Sequence, residues 1–379
     1  MSLSPVVESQ DLLIEILLRL PSKPLAKFKC VSKQWLTLIT SHHFITLYSS
    51  LHHFPLLLSH SPLNYTFSIS TFHTPIFQTP FTFDFLNLPK HGSLHIIQAC
   101  KGLLLIQTTT SSSDSFCTLY VCNPTTKSFI TLGDMSEFDA ALTTFFLAIE
   151  HPSSSHFKVV AIKRSIVSPL VHCISCNLIA SCTIYEISIY SSETASWGNP
   201  FSYCNTTPTI EIDHGVYCNG ALHWYSVAQE SFYFDIKNQS FKMYPMPPEI
   251  KALTQQVEYF GQSGEHLHLI LQAQGRLVFH IFELEQDYSY WSKKFLLDFS
   301  PMLSFNILGL IRQEKEEEFL LVFLANDAAF SCNLDNATFR ELYELRSTIQ
   351  SCDKMCSLRQ CFKLFEYFEN FSSIGGLIG

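Results

Sequence analysis

The sequence contains no uninterrupted apolar run of about 18 residues, the length a membrane-spanning helix requires. Its opening, MSLSPVVESQ, has neither a positively charged stretch nor an apolar core, so no secretory signal is expected. Positive charge is scarce: 24 Lys and Arg stand against 33 Asp and Glu, a net charge of −9. That balance leaves no electrostatic footprint for nucleic acid. Catalytic signatures are missing too, with no GxSxG, HExxH, P-loop or GxGxxG. GQSGEH at 261–266 lacks the second glycine of a nucleophile elbow and reads as a hairpin turn before an apolar strand. Among 13 cysteines, Cys173 and Cys176 make a lone CxxC after His172, with Cys182 six residues on. No second CxxC completes the four ligands of a structural zinc site, and Cys352, Cys356 and Cys361 lie far downstream. The thiols are therefore expected to be reduced and mostly buried, with no metal and no cofactor.

What is present is concentrated first in residues 11–48, DLLIEILLRLPSKPLAKFKCVSKQWLTLITSHHFITLY. On a helical wheel Leu12, Leu13, Ile14, Ile16, Leu17, Leu18 and Leu20 spread apolar surface over about two-thirds of the circumference. A helix packed on one neighbour needs a stripe of only about 100°. Two apolar faces imply two partners, one inside the chain and one outside it. Pro21 is expected to stop this helix, Ser22 to cap a second containing Leu25 and Phe28, and Ser32 to cap a third. The third would bury Trp35, Leu36 and Ile39, leaving Lys23, Lys27, Lys29 and Lys33 outside. A unit this short rarely folds without help, which predicts a partner-stabilised helical adaptor.

The run DLLIEILLRLPSKPLAKFKCVSKQWLTLI resembles the F-box, in the form found in large plant F-box families. The resemblance implies docking on a Skp-type adaptor, which bridges to a cullin-RING scaffold in a ubiquitin ligase. Carried over by residue, the adaptor-binding positions are Leu12, Ile16, Leu17, Leu20, Pro21, Leu25, Phe28, Val31 and Trp35. One departure stands at the start, where Glu8 and Ser9 replace the family's usual Leu-Pro.

After residues 51–62 (LHHFPLLLSHSP), a hydrophobic passage, the chain turns to short apolar runs separated by polar turns. TFSISTF, FTFDFLNL, KGLLLIQT, CTLYVCNP and KVVAIKR read as strands. A pattern of apolar strand, polar turn and aromatic recurs at LYVCNPTTKSF, ISIYSSETASW, FYFDIKNQSF, IFELEQDYSYW and FSCNLDNATF. The closing aromatics, Phe129, Trp197, Phe241, Trp291 and Phe339, are 68, 44, 50 and 48 residues apart. A period of 45–50 with one insertion matches the four-stranded units of a β-propeller. An irregular β-sandwich whose hairpins share turn chemistry is the alternative.

VYCNGALHWY, FYFDIKNQSFKMYPMP, VCNPTTKSF and LFEYFENF look like the F-box-associated region, a kelch-like propeller that selects the protein to be ubiquitinated. The expected fold class is thus α+β multi-domain: a helical F-box at 8–48, a connecting segment at 49–62 and a mainly-β, propeller-like domain at 63–370. The expected function is substrate recognition for an SCF-type ligase, non-catalytic, in cytoplasm or nucleus. Its partners would be the adaptor, the scaffold behind it and an unidentified target protein, with no nucleic acid and no membrane. A ligase-independent binding propeller is the alternative. In a third reading, an enzyme or small-molecule receptor, His223 beside Trp224 and the His266–His268 pair would be site residues rather than wall or surface histidines.

Overall fold

The computed structural model describes residues 10–374 apart from 52, 61–66, 71–77, 82, 87–91, 111–116, 134–137, 139–141, 151–153, 155, 167–182, 206–211, 252–254, 274, 300–304, 314–317, 326–327, 345–361, 369–370 and 372–373. Among the described residues the α-helices are α1 (Gln10–Leu18), α2 (Ser22–Phe28), α3 (Lys33–Ile39) and α4 (His42–Leu51), ahead of the strands. Pro21 does punctuate α1, whose last turn tightens as Arg19 N–H bonds to Ile16 O and Leu20 N–H to Leu17 O. Ser32 caps α3 as expected, its Oγ accepting from Trp35 N at 3.2 Å. Ser22 does not cap α2. The helix begins one residue earlier than that reading required, with Pro21 in the capping position and no side-chain bond to the first turn.

Among the described residues, 25 strands then form six antiparallel sheets. Blade 1 runs β4 (Gly92–Cys100), β5 (Leu103–Thr110), β6 (Cys117–Asn123), β7 (Ser128–Thr131), in spatial as in chain order. Blade 2 is β8 (Thr143–Ala148), β9 (Lys158–Ile166), β10 (Thr183–Ser191), with β11 (Ser196–Trp197) and β12 (Phe201–Asn205) sharing the outer edge of β10. Blade 3 is β13 (Val216–Cys218), β14 (Ala221–His223), β15 (Glu230–Asp235), β16 (Ser240–Pro245), and blade 4 is β17 (Gln255–Ser263), β18 (His266–Ala273), β19 (Val278–Leu284), β20 (Trp291–Asp298). Blade 5 is β21 (Asn306–Gln313), β22 (Glu318–Ala325), β23 (Ala328–Asn333), β24 (Thr338–Glu344). The sixth sheet is built from both ends of the chain. β25 (Phe362–Phe368) is its inner strand, followed by β1 (His53–His60), β2 (Phe67–Ser70) and β3 (Gln78–Phe81). The inner strands β4, β8, β13, β17, β21 and β25 are neighbours in that order, and β25 returns to β4, closing a ring. The architecture is a β-propeller of five consecutive blades and one closing sheet.

Residues 53–60 therefore extend a sheet where a connector was expected at 49–62. Seven residue pairs join β1 to β25, from His53↔Phe368 to Ser59↔Phe362.

The aromatic repeat maps onto the blades one for one. Phe129, Trp197, Phe241, Trp291 and Phe339 each stand on the outermost segment after the third strand, in β7, β11, β16, β20 and β24. The turn before each has the same construction. A polar side chain ends the third strand in four of them: Asn123 Oδ1 accepts from Thr125 N, Ser191 Oγ from Glu193 N, Asp235 Oδ1 from Asn238 N and Asn333 Oδ1 from Asp335 N. Four residues past the strand end the backbone turns left-handed, at Lys127, Ala195, Gln239, Tyr288 and Ala337. The long 68-residue interval is explained by the connection between β9 and β10, residues 167–182, while those strands keep register through Ile166↔Thr183.

Middle strands are covered on both sides, which is why runs such as FLLVFL do not alternate with polar residues. On β22, Leu321, Phe323 and Ala325 pack into the core shared with blade 4, while Val322 faces Ile311 and Leu364. On β15, Phe232 and Phe234 join the cluster with blade 2, and Tyr233 the cluster with blade 4. Blades are also clasped by single hydrogen bonds. Trp197 Nε1 donates to Leu132 O at 3.2 Å, and Trp291 Nε1 to Pro245 O at 2.8 Å, each reaching back to the preceding blade.

Candidate functional site

The helical unit has an inside and an outside. Leu13, Leu17, Leu18, Leu25, Leu38, Ile39, Phe44 and Tyr48 are buried together, with Tyr48 Oη donating to Leu20 O at 3.0 Å. The expected adaptor-facing residues divide on this boundary. Leu12 and Ile16, one turn apart on α1, are 53% and 47% exposed, and Val31 is 58% exposed. Pro21 is exposed, while Leu20, Phe28 and Trp35 are half-buried; Phe28 and Trp35 pack edge-to-face at 5.3 Å. Leu17 and Leu25 are completely buried and hold the unit together from within. They present no surface to a partner in this conformation. Leu36, expected inside, is 44% exposed and adds to the outer face. Glu8 and Ser9 lie outside the described residues.

Lys29 is the other departure from the expected pattern. It is half-buried, its Nζ donating to Phe371 O at 3.0 Å and lying 5.2 Å from the Phe371 ring centroid. Burial lowers its ammonium pKa from the usual lysine range. No local signal in FKCVSK announces this contact, because the partner is 342 residues away.

The propeller has two unlike ends. Hairpins between first and second strands and between third and fourth strands fall at one end. They include the tight pairs Lys101-Gly102, Asn219-Gly220 and Gly264-Glu265, all left-handed. GQSGEH is thus a hairpin turn, as its sequence suggests. The chain leaves α4 at Leu51 and starts β1 at His53, opposite Phe368, so the helices attach at this same end. Tyr367 Oη confirms the placement, 2.9 Å from Thr125 Oγ1 in the β6–β7 turn. The remaining connections, among them 132–142, 167–182, 206–215, 246–254 and 345–361, join strand ends at the opposite end.

The candidate histidines sit between blades. His223 is fully buried, its Nε2 2.8 Å from Tyr288 Oη, with the rings of Tyr233 and Tyr288 stacked near it at 5.3 and 5.5 Å. Burial pushes its imidazole down to about 4, against smaller opposing pulls from the backbone of Val216 and Ala221. His268, also fully buried, lies 3.1 Å from Glu283 Oε2. Lys294 Nζ is 3.1 Å and Arg312 Nη1 3.3 Å from the same carboxylate, with His266 at 3.8 Å. Burial pushes the Glu283 carboxyl up, but hydrogen bonds from His268 and Lys294 outweigh it and bring it down to about 2. Burial keeps His268 low despite that bond, so the pair is an ionised glutamate held by a neutral imidazole donor. Arg312 belongs to β21, so the cluster ties blade 4 to blade 5.

Cys100 and Cys218 are buried thiols pushed up to about 12, mainly by burial, which makes them inert. Among the described residues no group of three His, Cys, Asp or Glu side chains is placed to hold a metal, and no helix is long and apolar enough to cross a membrane. His172, Cys173, Cys176, Cys182, Cys352, Cys356 and Cys361 lie outside the described residues.

Comparison with known proteins matches both units. Residues 9–47 match the F-box domain and residues 64–370 the F-box associated beta propeller domain. The F-box protein At5g07610 of Arabidopsis thaliana is 27% identical over 411 residues, covering 96% of this chain and 93% of that protein. The putative F-box protein At5g52610 of the same organism is 64% identical over 42 residues, 11% of this chain and 12% of that one. Among solved structures, a chain of the Nidogen/Laminin complex aligns with TM-score 0.44 and 7% identity, over 83% of this chain and 99% of that chain. The chain belongs to the family that joins an N-terminal F-box to an F-box associated β-propeller domain.

Proposed function

We propose that this protein is the substrate receptor of an SCF-type ubiquitin ligase. The helical unit docks on a Skp-type adaptor, and through it on a cullin-RING scaffold, while the propeller holds a target protein. The observation that carries the reading is the sorting of apolar residues in α1: Leu13 and Leu17 close the unit's own core, while Leu12 and Ile16 stand in solvent beside it. An exposed apolar face on so small a unit is the mark of a partner surface. The helices attach at the tight-turn end, so the long connections at the other end point away from the adaptor and are the natural target-binding surface. The receptor itself does no chemistry. It raises the local concentration of a target lysine near a charged conjugating enzyme supplied in trans, an entropic contribution. Such work belongs in the cytoplasm or nucleus, where thiols stay reduced.

The test is co-expression with a Skp-type adaptor, followed by size-exclusion chromatography. A one-to-one complex is expected for the wild type. Leu12→Asp/Ile16→Asp should lose it, since each unpaired carboxylate forced into an apolar contact costs about 2 kcal/mol or more, roughly 30-fold in affinity. Leu25 is unsuitable for this purpose because it lies wholly inside the core. Undiminished complex with the double variant would sink the assignment.

A further inference from the structure

Phe371 lies just past β25 and packs among the helices. Its ring is buried in the helical cluster with Leu17, Leu25 and Tyr48, meeting the Tyr48 ring edge-on at 5.1 Å. Its carbonyl accepts the Lys29 ammonium at 3.0 Å, and its ring takes the same ammonium at 5.2 Å from the centroid. Three residues further on, Ile374 is buried in the propeller cluster shared by blades 1, 2 and 3. The chain beyond β25 thus anchors once in the helices and once in the propeller.

Two facts make this more than a tether. The helical unit is small: among the described residues nine buried side chains form this cluster, and Phe371 is one of them. A unit that size has little core to spare. Phe371 also follows Phe368 by only three residues, a reach of about 10 Å at full extension. It can enter the helices only when the end of β25 is seated opposite His53, two residues after α4 ends. That seating is the event that closes the ring. Ring closure and completion of the helical core therefore share one structural condition.

We propose that Phe371 and Ile374 form a strap that couples closure of the propeller to completion of the F-box helices, so that the Leu12–Ile16 face is fully formed only on a chain whose ring has closed. The coupling is reciprocal: whatever loosens the anchor in the propeller loosens the helices, and the reverse. In functional terms, which rest on the receptor reading above, an incompletely folded propeller would not be presented to the adaptor.

Hydrogen exchange on the full chain tests the strap without any adaptor, so failure of adaptor binding leaves the result interpretable. Ile374→Asp is the decisive variant, because Ile374 packs in the propeller cluster and not in the helical one. Peptides from residues 10–48 should exchange at least tenfold faster than in the wild type, as in Phe371→Ala, while peptides from blade 4 (255–298) stay unchanged. Lys29→Met, which removes the ammonium from the Phe371 carbonyl, should move the same helical peptides in the same direction. If the Asp variant loosens blade 4 as well, Ile374→Ala removes the anchor without adding charge and gives the same comparison. Helical peptides at wild-type rates in a folded Ile374 variant would overturn the strap, leaving Phe371 as an ordinary core residue.

Discussion

His223 gives the protein an acid-sensitive joint between blades 3 and 4, and the size of the effect follows from its surroundings. The side chain is fully buried, and the titratable groups around it are the phenols of Tyr233, Tyr244 and Tyr288, none of which supplies a counter-charge at neutral pH. Its pKa is about 4 in the folded chain against 6.5 for the free side chain. The folded state therefore refuses a proton that the unfolded state accepts, and stability is lost as pH falls from 6.5 toward 4. Linkage over that interval amounts to about 2.5 kcal/mol by pH 4.5. The assay is urea unfolding of the wild type and His223→Gln at intervals from pH 7.5 to 4.5. Gln can still bond to the Tyr288 hydroxyl but does not titrate. The other histidines whose pKa is lowered, His266, His268 and His280, contribute equally to both proteins, so the difference between the curves isolates His223. The gap between the two should shrink by about 2.5 kcal/mol on acidification. Parallel curves would refute the reasoning, and a widening gap would mean that the folded protein carries His223 charged.

Two further predictions follow from the same interfaces. Glu283→Gln should destabilise by about 2 kcal/mol at pH 7, because Lys294 and Arg312 lose their counter-charge while half-shielded from water; since the Glu283 carboxyl sits at about 2, the penalty should fade only below pH 4.5, and a penalty independent of pH down to 2.5 would contradict the ion cluster. Ala337→Gly should stabilise by about 0.5–1 kcal/mol, because Ala337 holds φ +53° in the β23–β24 turn, where a Cβ is strained and glycine is not; a lower thermal midpoint for the variant would argue against that strain.

The repeat was legible because each blade needs the same turn and the same closing aromatic, and both are local. Asn123, Asp235 and Asn333 announce their turns through side chains that bond two or three residues on. The β1–β25 pairing of the sixth sheet was not legible for the opposite reason. HFPLLLSH carries a proline and no alternation, and its pairing partner FKLFEYF comes about 300 residues later. In α1, six apolar side chains spread around most of the helix cannot reveal which face turns inward. Leu17 and Leu12 are equivalent by composition, and only the positions of α4 and Phe371 decide between them. Lys29 looked like a solvated charge for the same reason. His268 and His223 read as wall or surface residues because their partners, Glu283 and Tyr288, stand on other strands or turns.

The separation of the two propeller ends has a bearing on how the sequence can change over generations. The 16 residues between β9 and β10 interrupt neither the register of those strands nor the clasp from Trp197 to Leu132. Lengthening a connection at that end costs only about 0.6 kcal/mol per doubling. The end that carries the helices is instead bound up with tight turns, the β1–β25 pairing and the Phe371 anchor. Drift is thus channelled to one pole of the molecule, and under the receptor function proposed above a duplicated copy could acquire a new target while the helical end stays untouched.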